Sequence, residues 1–290
     1  MVMSDNNQKF ARRPASQPPQ RGFDFGMILG IAIATAALIA GIAVTGVSAH
    51  YYFQPTGLLI VLGGTLGVIL ITTPPSALLV TVRRTLQLFA KDVSPSPEHL
   101  IEEIVAYAKV VRTEGMLALE PAVDRVSHSF LREALLFAMD AKERRDLQST
   151  LENNVRFAER QSDAAARVLE VAGGFTPTIG ILGTVVGLID VLRQFSSLST
   201  IASGVGAAFT STIYGLAAAN LVLLPAAYRI RARAAETFDL HMLMTEGTLY
   251  LFDGMHPILV RQRLRSFLNA APSDNRPVQS LESVLQVGQV

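Results

Sequence analysis

The chain has 290 residues, half of them apolar and only 17% charged, with 25 basic and 24 acidic residues and a net charge of +1. So small a charged share, against about 25% in soluble domains, points to membrane-embedded segments, and the near-zero net charge argues against bulk electrostatic binding to nucleic acid. Cysteine is absent, which excludes a disulfide framework and thiolate metal sites; tryptophan is absent too, so Tyr and Phe must serve at any membrane interface.

Residues 1–22 are Pro/Gln-rich and basic, and read as a disordered tail. Phe25 to Val47 is apolar and uncharged. It is long enough to cross a bilayer, which needs about 20 apolar residues, and longer than the roughly 7–15 residues of a signal-peptide core. A short turn, His50 to Thr56, carries two tyrosines and leads into a second apolar segment, Gly57 to Val82, closed by Arg83-Arg84. Gly63, Gly64 and Gly67 give that segment a small-residue face for close helix contact. Pro74-Pro75 lies inside it, tolerable in a membrane helix if neighbours re-satisfy the freed carbonyls.

Residues 83–168 are charged and resemble a soluble insertion of about four helices. Ser96-Pro97-Glu98 reads as a helix start, and Leu100, Ile101, Ile104, Val105, Ala108 and Val111 follow at helical spacing. Ser127 to Asp140 predicts a short helix. Lys142 to Arg167 predicts a longer one with Leu147, Leu151, Val155 and Ala158 on one stripe; no breaker separates it from the third apolar segment, Val171–Leu192, so one helix is expected to run through both. The fourth segment is Gly204–Tyr228, with Arg229, Arg231 and Arg233 at its close. Residues 229–268 read as helical, interrupted at Asp253-Gly254 and His256-Pro257, and 269–290 as disordered.

The pattern therefore predicts an all-α membrane protein. Helices 1 and 2 fall in 23–82, a helical cytoplasmic domain in 83–168, helices 3 and 4 in 169–228 and a helical cytoplasmic tail in 229–268. Lys and Arg number four in the N-terminal tail, thirteen in 83–168 and seven after the fourth segment; the 48–56 loop has none and the loop after the third segment only Arg193. Basic residues collect on the cytoplasmic side, so both termini and the insertion are expected inside.

The third and fourth segments carry the features with chemical content. Gly180, Gly183, Thr184 and Gly187 form a small-residue stripe with one hydroxyl; Ala208, Ser211, Thr212, Gly215 and Ala219 repeat it. Such stripes serve helix packing, and a threonine can simply bond the carbonyl four residues back. Two helices each with a mid-depth hydroxyl are also the wall that a polar or ion-conducting path needs. Pro177 and Pro225 fall near the cytoplasmic ends of these segments, either as plain kinks or as a hinge level. No Asp, Glu, Lys or Arg lies at mid-depth in any of the four segments. Intramembrane proton carriers are usually ionisable, so a chain that conducts with this sequence must borrow its carboxylate from a partner helix. Arg112, Glu114, Glu120 and Asp124 read by composition as a solvated face. No His/Asp/Glu cluster has metal spacing. The glycine runs at 63–65 and 180–187 lie within membrane segments, not between a strand and a helix. No enzyme and no cofactor is indicated.

Phe175 to Ile189 (FTPTIGILGTVVGLI), Thr212 to Gly215 (TIYG) and Ala219 to Pro225 (ANLVLLP) resemble the MotA/TolQ/ExbB proton-channel family. Leu58 to Gly67, Arg112 to Glu120 (RTEGMLALE) and Glu246 to Leu268 are similar to its flagellar stator branch, and two apolar segments before the insertion, rather than one, favour that branch over TolQ/ExbB. The resemblance spans about 24–268. It implies a pentameric ring around a MotB-like, single-helix, peptidoglycan-binding partner whose aspartate supplies the missing carboxylate. It implies that Thr184 and Thr212 line the ion path, that Pro177 and Pro225 couple ion flow to movement, and that Arg112 and Glu120 meet the flagellar rotor ring. The alternatives are a TolQ/ExbB-like subunit acting elsewhere than on a flagellum, and a non-conducting scaffold. Whether the ion is a proton or sodium is open.

Overall fold

The computed structural model describes residues 25–46, 52–88, 95–193 and 198–270, and every regular element among them is helical. The expected tails, 1–22 and most of 269–290, lie outside the described residues. The helices are α1 (Phe25–Val44), α2 (Pro55–Thr72), α3 (Pro75–Gln87), α4 (Pro97–Glu114), a 3-10 turn (Met116–Leu119), α5 (Glu120–Val123), α6 (Ser129–Asp140), α7 (Arg144–Arg193), α8 (Leu198–Ala217), a π-helical turn (Ala218–Leu223), α9 (Leu224–Phe252) and α10 (Pro257–Ala270). They divide into one unit of residues up to 94 together with 162–231, and a second of 95–161 together with the residues from 232 onward. The helices α7 and α9 have residues in both.

Three helices, α2, α7 and the one running Gly204–Phe252, contain windows long and apolar enough to cross a membrane; Leu29–Val44 in α1 is a shorter apolar helix. The helix expected to continue from 142 through the third apolar segment does so, because nothing between Arg144 and Gly173 breaks the backbone ladder. One expectation is corrected. The second apolar segment is not one helix: α2 stops at Thr72, Thr73 is extended (φ −130°, ψ 127°), and α3 restarts with Pro75 in its first turn. Two adjacent prolines remove two amide donors, and a residue before proline avoids the α region, so the break is local chemistry that no neighbour overrides. Arg229, Arg231 and Arg233, which close the fourth apolar segment, lie inside α9, and the helix runs on to Phe252. Arginine is a good helix former, and the stop signal lies instead at Gly254, whose φ of 63° only glycine adopts freely.

In the first unit, α7 and α8 form an antiparallel hairpin packed backbone to backbone. A methyl placed on Gly187 would lie 2.8 Å from the Ala208 Cβ, and one on Gly180 would lie 2.9 Å from the Ser211 carbonyl oxygen. Further along, a methyl on Gly215 would lie 2.8 Å from the Thr176 carbonyl oxygen. The helix α2 closes onto this hairpin, with Gly57 against Ser211 and Gly64 against Ile179. The apolar residues that point away, Ile181, Leu182, Val185, Val186 and Ile189, stay about half-exposed, as a lipid-facing or subunit-facing wall requires. In the second unit, the periodic residues Leu100, Ile101, Ile104, Val105, Ala108 and Val111 of α4 are buried with Leu147, Leu151 and Val155 of α7, Leu243, Met244 and Leu249 of α9, and Val260 and Leu264 of α10. Ser96 caps α4 by accepting from the His99 amide, as its sequence predicts.

Candidate functional site

The hairpin brings the two predicted threonines together. Thr184 Oγ1 lies 2.6 Å from Thr212 Oγ1 and 3.2 Å from the carbonyl oxygens of both Gly180 and Ala208; Thr212 Oγ1 is 3.5 Å from the Gly180 oxygen. Thr184 therefore does make the backbone bond that a packing role would give it, but it also reaches across to α8. The close approach that allows this comes from Gly180, Gly183, Gly187 and Gly215, since any side chain there would hold the helices apart. Two hydroxyls and two carbonyls place four oxygens in a small, part-buried space, with at most two protons among them. Such a cluster can accept bonds from a hydrated proton or ligate a small cation. It has no acid of its own: Asp190, the nearest carboxylate along α7, is almost two turns away toward the helix end.

The structure places the other predicted residues differently from one another. Pro177 is internal to α7 and does not break it. Its missing N–H frees the Gly173 carbonyl, and its Cα packs beside Gly215, 3.3 Å from where a Cβ would be. Pro225 is the second residue of α9. The turn before it is wound as a π-helix, with the Leu224 amide donating to the Ala219 oxygen five residues back, and the Asn220 side-chain amide donating to the Leu216 oxygen. The wide turn accommodates the donor that Pro225 lacks; π-turns recur at functional positions in helices. Arg112, in the last turn of α4, and Glu120, the first residue of α5, are both exposed in the second unit, on either side of Gly115 (φ 84°) and the 3-10 turn. Among the described residues neither takes part in the ion pairs of that unit, which join Arg132 to Asp124, Arg144 to Asp253, Arg156 to Glu152, and Arg261 and Arg265 to Glu102. No group of three or more His, Asp or Glu among the described residues could hold a metal ion.

Two polar contacts escaped the sequence. Thr176 Oγ1 donates to the Ala172 oxygen at 2.6 Å, so at 3.1 Å from Thr65 Oγ1 it accepts the Thr65 proton, forming a second interhelical hydroxyl pair between α7 and α2. The Tyr214 hydroxyl donates to the Tyr52 carbonyl and accepts from the Gln54 amide at 3.0 Å, tying the start of α2 to α8. Partners 111 and 162 residues apart leave no periodic trace; the only signal was a polar residue beside a functional-looking one, Thr176 next to Pro177 and Tyr214 near Thr212.

Residues 122–241 match the model of the MotA/TolQ/ExbB proton channel family. Motility protein A of Bacillus subtilis is 28% identical over 243 residues, covering 84% of this chain and 90% of that protein. The 122–241 segment carries the signature of the MotA/TolQ/ExbB proton channel family, and the similarity to motility proteins supports its MotA branch. The chemotaxis protein PomA of Vibrio alginolyticus is 26% identical over 247 residues, covering 85% of this chain and 96% of that protein. The fold also superposes on a chain of the flagellar MotAB stator complex of Bacillus subtilis with a TM-score of 0.77 at 27% identity, covering 90% of this chain and 98% of that one.

Proposed function

We propose that this chain is the channel-forming subunit of a flagellar stator, which passes protons or sodium ions across the cell membrane together with a MotB-like single-helix partner and converts the flow into torque on the rotor. The observation that carries the reading is the part-buried Thr184–Thr212 pair in a chain that aligns over most of its length with motility protein A. The hydroxyls and carbonyls offer oxygens to an ion but no titratable group, so the ion-binding carboxylate belongs to the partner.

In this reading Phe25–Val44, the α2–α3 segment, the second half of α7, and α8 with the start of α9 are four membrane spans. Residues 83–168 and 229–268 are cytoplasmic, and both termini lie inside. Five copies ring the partner helices, so that Thr184 and Thr212 border the path on one side and the partner's carboxylate on the other. Pro177 and Pro225 flank the place where α7 and the π-turn meet, and a change of helix packing there accompanies each ion. The exposed, unpaired charges Arg112 and Glu120 face the rotor ring. Thr184→Val and Thr212→Val should each reduce ion flux and swimming while the protein accumulates normally in the membrane. Full swimming with both threonines replaced and Pro177→Ala added would remove these assignments. Motility that persists without sodium but stops with a protonophore identifies the ion as the proton.

A further inference from the structure

One buried acid plays no part in the ion path. Glu103 of α4 is only 6% exposed and sits among the apolar core residues of the second unit. Its carboxylate takes three donors. Oε1 accepts from the Tyr107 hydroxyl at 2.7 Å and from the Ser127 amide at 3.1 Å, and Oε2 accepts from the Ser127 hydroxyl. A carboxylate is costly to bury unless its oxygens are hydrogen-bonded, and bonds to a charged acceptor are the stronger and shorter kind. Tyr107, one turn along α4, holds the carboxylate in place on its own helix. Ser127 lies 24 residues further on, just before α6.

These bonds close a loop. It leaves α4 at Gly115, passes through the 3-10 turn and α5, and returns to α4 at Ser127. Glu120 and Asp124 are exposed along it, Arg112 and Glu114 are exposed on the last turn of α4 from which it departs, and its deeply buried apolar anchors are Leu119 and Val123. Apolar contacts are non-directional and would let so short a segment roll on α4. Two bonds from Ser127, one to each oxygen of a carboxylate that Tyr107 holds in place, fix the segment's rotation as well as its distance.

We propose that Glu103 is a positioning residue: by clamping Ser127 to α4 it sets the geometry in which Arg112 and Glu120 are presented to a protein partner. The proposal rests on the reading of Arg112 and Glu120 as the rotor-facing charges. Glu103 touches neither the ion nor the partner, so its loss uncouples torque from conduction.

The test uses the full-length chain with its channel partner in cell membranes, in variants Glu103→Ala, Glu103→Gln, Ser127→Ala and Arg112→Glu. Three quantities are measured: tryptic cleavage after Arg112 or Arg125, torque per motor, and ion flux. Glu103→Ala frees the returning segment, so cleavage should speed up at least about tenfold and torque should fall while flux stays as in the unsubstituted chain. Glu103→Gln should behave nearly as the unsubstituted chain, because the amide oxygen still accepts from Tyr107 and the Ser127 amide, and the amide nitrogen can donate to the Ser127 hydroxyl. Ser127→Ala, which removes one donor and keeps the backbone one, should fall between them, and it carries the comparison if Glu103→Ala fails to accumulate. Unchanged cleavage and torque in Glu103→Ala, or equal damage from Glu103→Gln, overturns the proposal while leaving the rotor reading intact if Arg112→Glu lowers torque. Unchanged torque in Arg112→Glu overturns the rotor reading and the role of Glu103 with it, whatever the cleavage shows.

Discussion

In the first unit, Gly180 packs beneath the threonine pair directly against the backbone of α8, and Gly180→Ala tests that contact. The added methyl would meet three backbone atoms of α8: the Ser211 carbonyl oxygen at 2.9 Å, the Thr212 Cα at 3.2 Å and the Gly215 Cα at 3.3 Å. Backbone cannot swing aside as a flexible side chain can. Restoring ordinary contact moves α7 and α8 apart locally by about 0.5–1 Å, and such overpacking costs about 1–3 kcal/mol. Thr184 and Thr212 flank the contact, so their 2.6 Å bond should lengthen to roughly 3.1–3.6 Å, the edge of hydrogen bonding. The segment stays apolar, so its insertion in the membrane should be unaffected. Expected, then, are normal abundance by immunoblot, loss of swimming on soft agar and reduced ion flux into vesicles. Gly174→Ala is the control, because nothing lies within 4 Å of a methyl there. Swimming and flux at the unsubstituted level in Gly180→Ala, or equal losses in Gly174→Ala, would refute the reasoning.

Thr65→Val removes the proton that Thr176 accepts but leaves the Thr176 bond to Ala172 intact; the loss of stability in thermal unfolding should be no more than about 1 kcal/mol. Thr245 is buried in the second unit and its hydroxyl has no hydrogen-bond partner, so Thr245→Val should be neutral or stabilising by up to about 1 kcal/mol in the same assay. Burial, with His128 nearby, lowers the His241 pKa to about 4; its ring stacks on Phe130 at 4.2 Å. The unfolded chain takes up a proton near pH 6.5 and the folded chain does not until about pH 4, so this contribution to stability is full above 6.5 and lost as pH falls from there to 4. With solvent screening the loss is on the order of 2 kcal/mol, and His241→Phe should flatten the unfolding midpoint across that interval. The Glu102 carboxyl is held below its ordinary value, chiefly by its hydrogen bond from Arg261, so Arg261→Ala should raise its titration midpoint when followed by NMR.

Much of the arrangement was legible because it is periodic. The apolar stripes of α4 and of the first half of α7 became core, the Ser96 cap held, and the uninterrupted 142-to-third-segment helix needed only the lack of a breaker. The close packing of α7 on α8 was legible because small residues at helical spacing on two successive apolar segments leave few other ways for a hairpin to pack; the direct Thr184–Thr212 bond was not. A misreading arose where local chemistry competes with environment. A membrane setting can keep a proline-containing segment helical, but here Pro74-Pro75 ends α2 and α3 restarts at Pro75. The π-turn before Pro225 has no sequence code beyond the proline itself. Glu103 was invisible for a different reason: on an amphipathic helix a glutamate reads as solvated, and only the long-range partner Ser127 shows that it is not.

The central claim is that this chain supplies the wall of an ion path and not its carboxylate. Ion flux into liposomes, read with proton- and sodium-sensitive dyes, tests it most directly when the chain is reconstituted alone, with its single-helix partner, and with that partner as the Thr184→Val/Thr212→Val double variant. The account predicts no flux from the chain alone, clear flux with the partner, and a large loss of that flux in the double variant. Flux from the chain alone, or undiminished flux from the double variant, would contradict it.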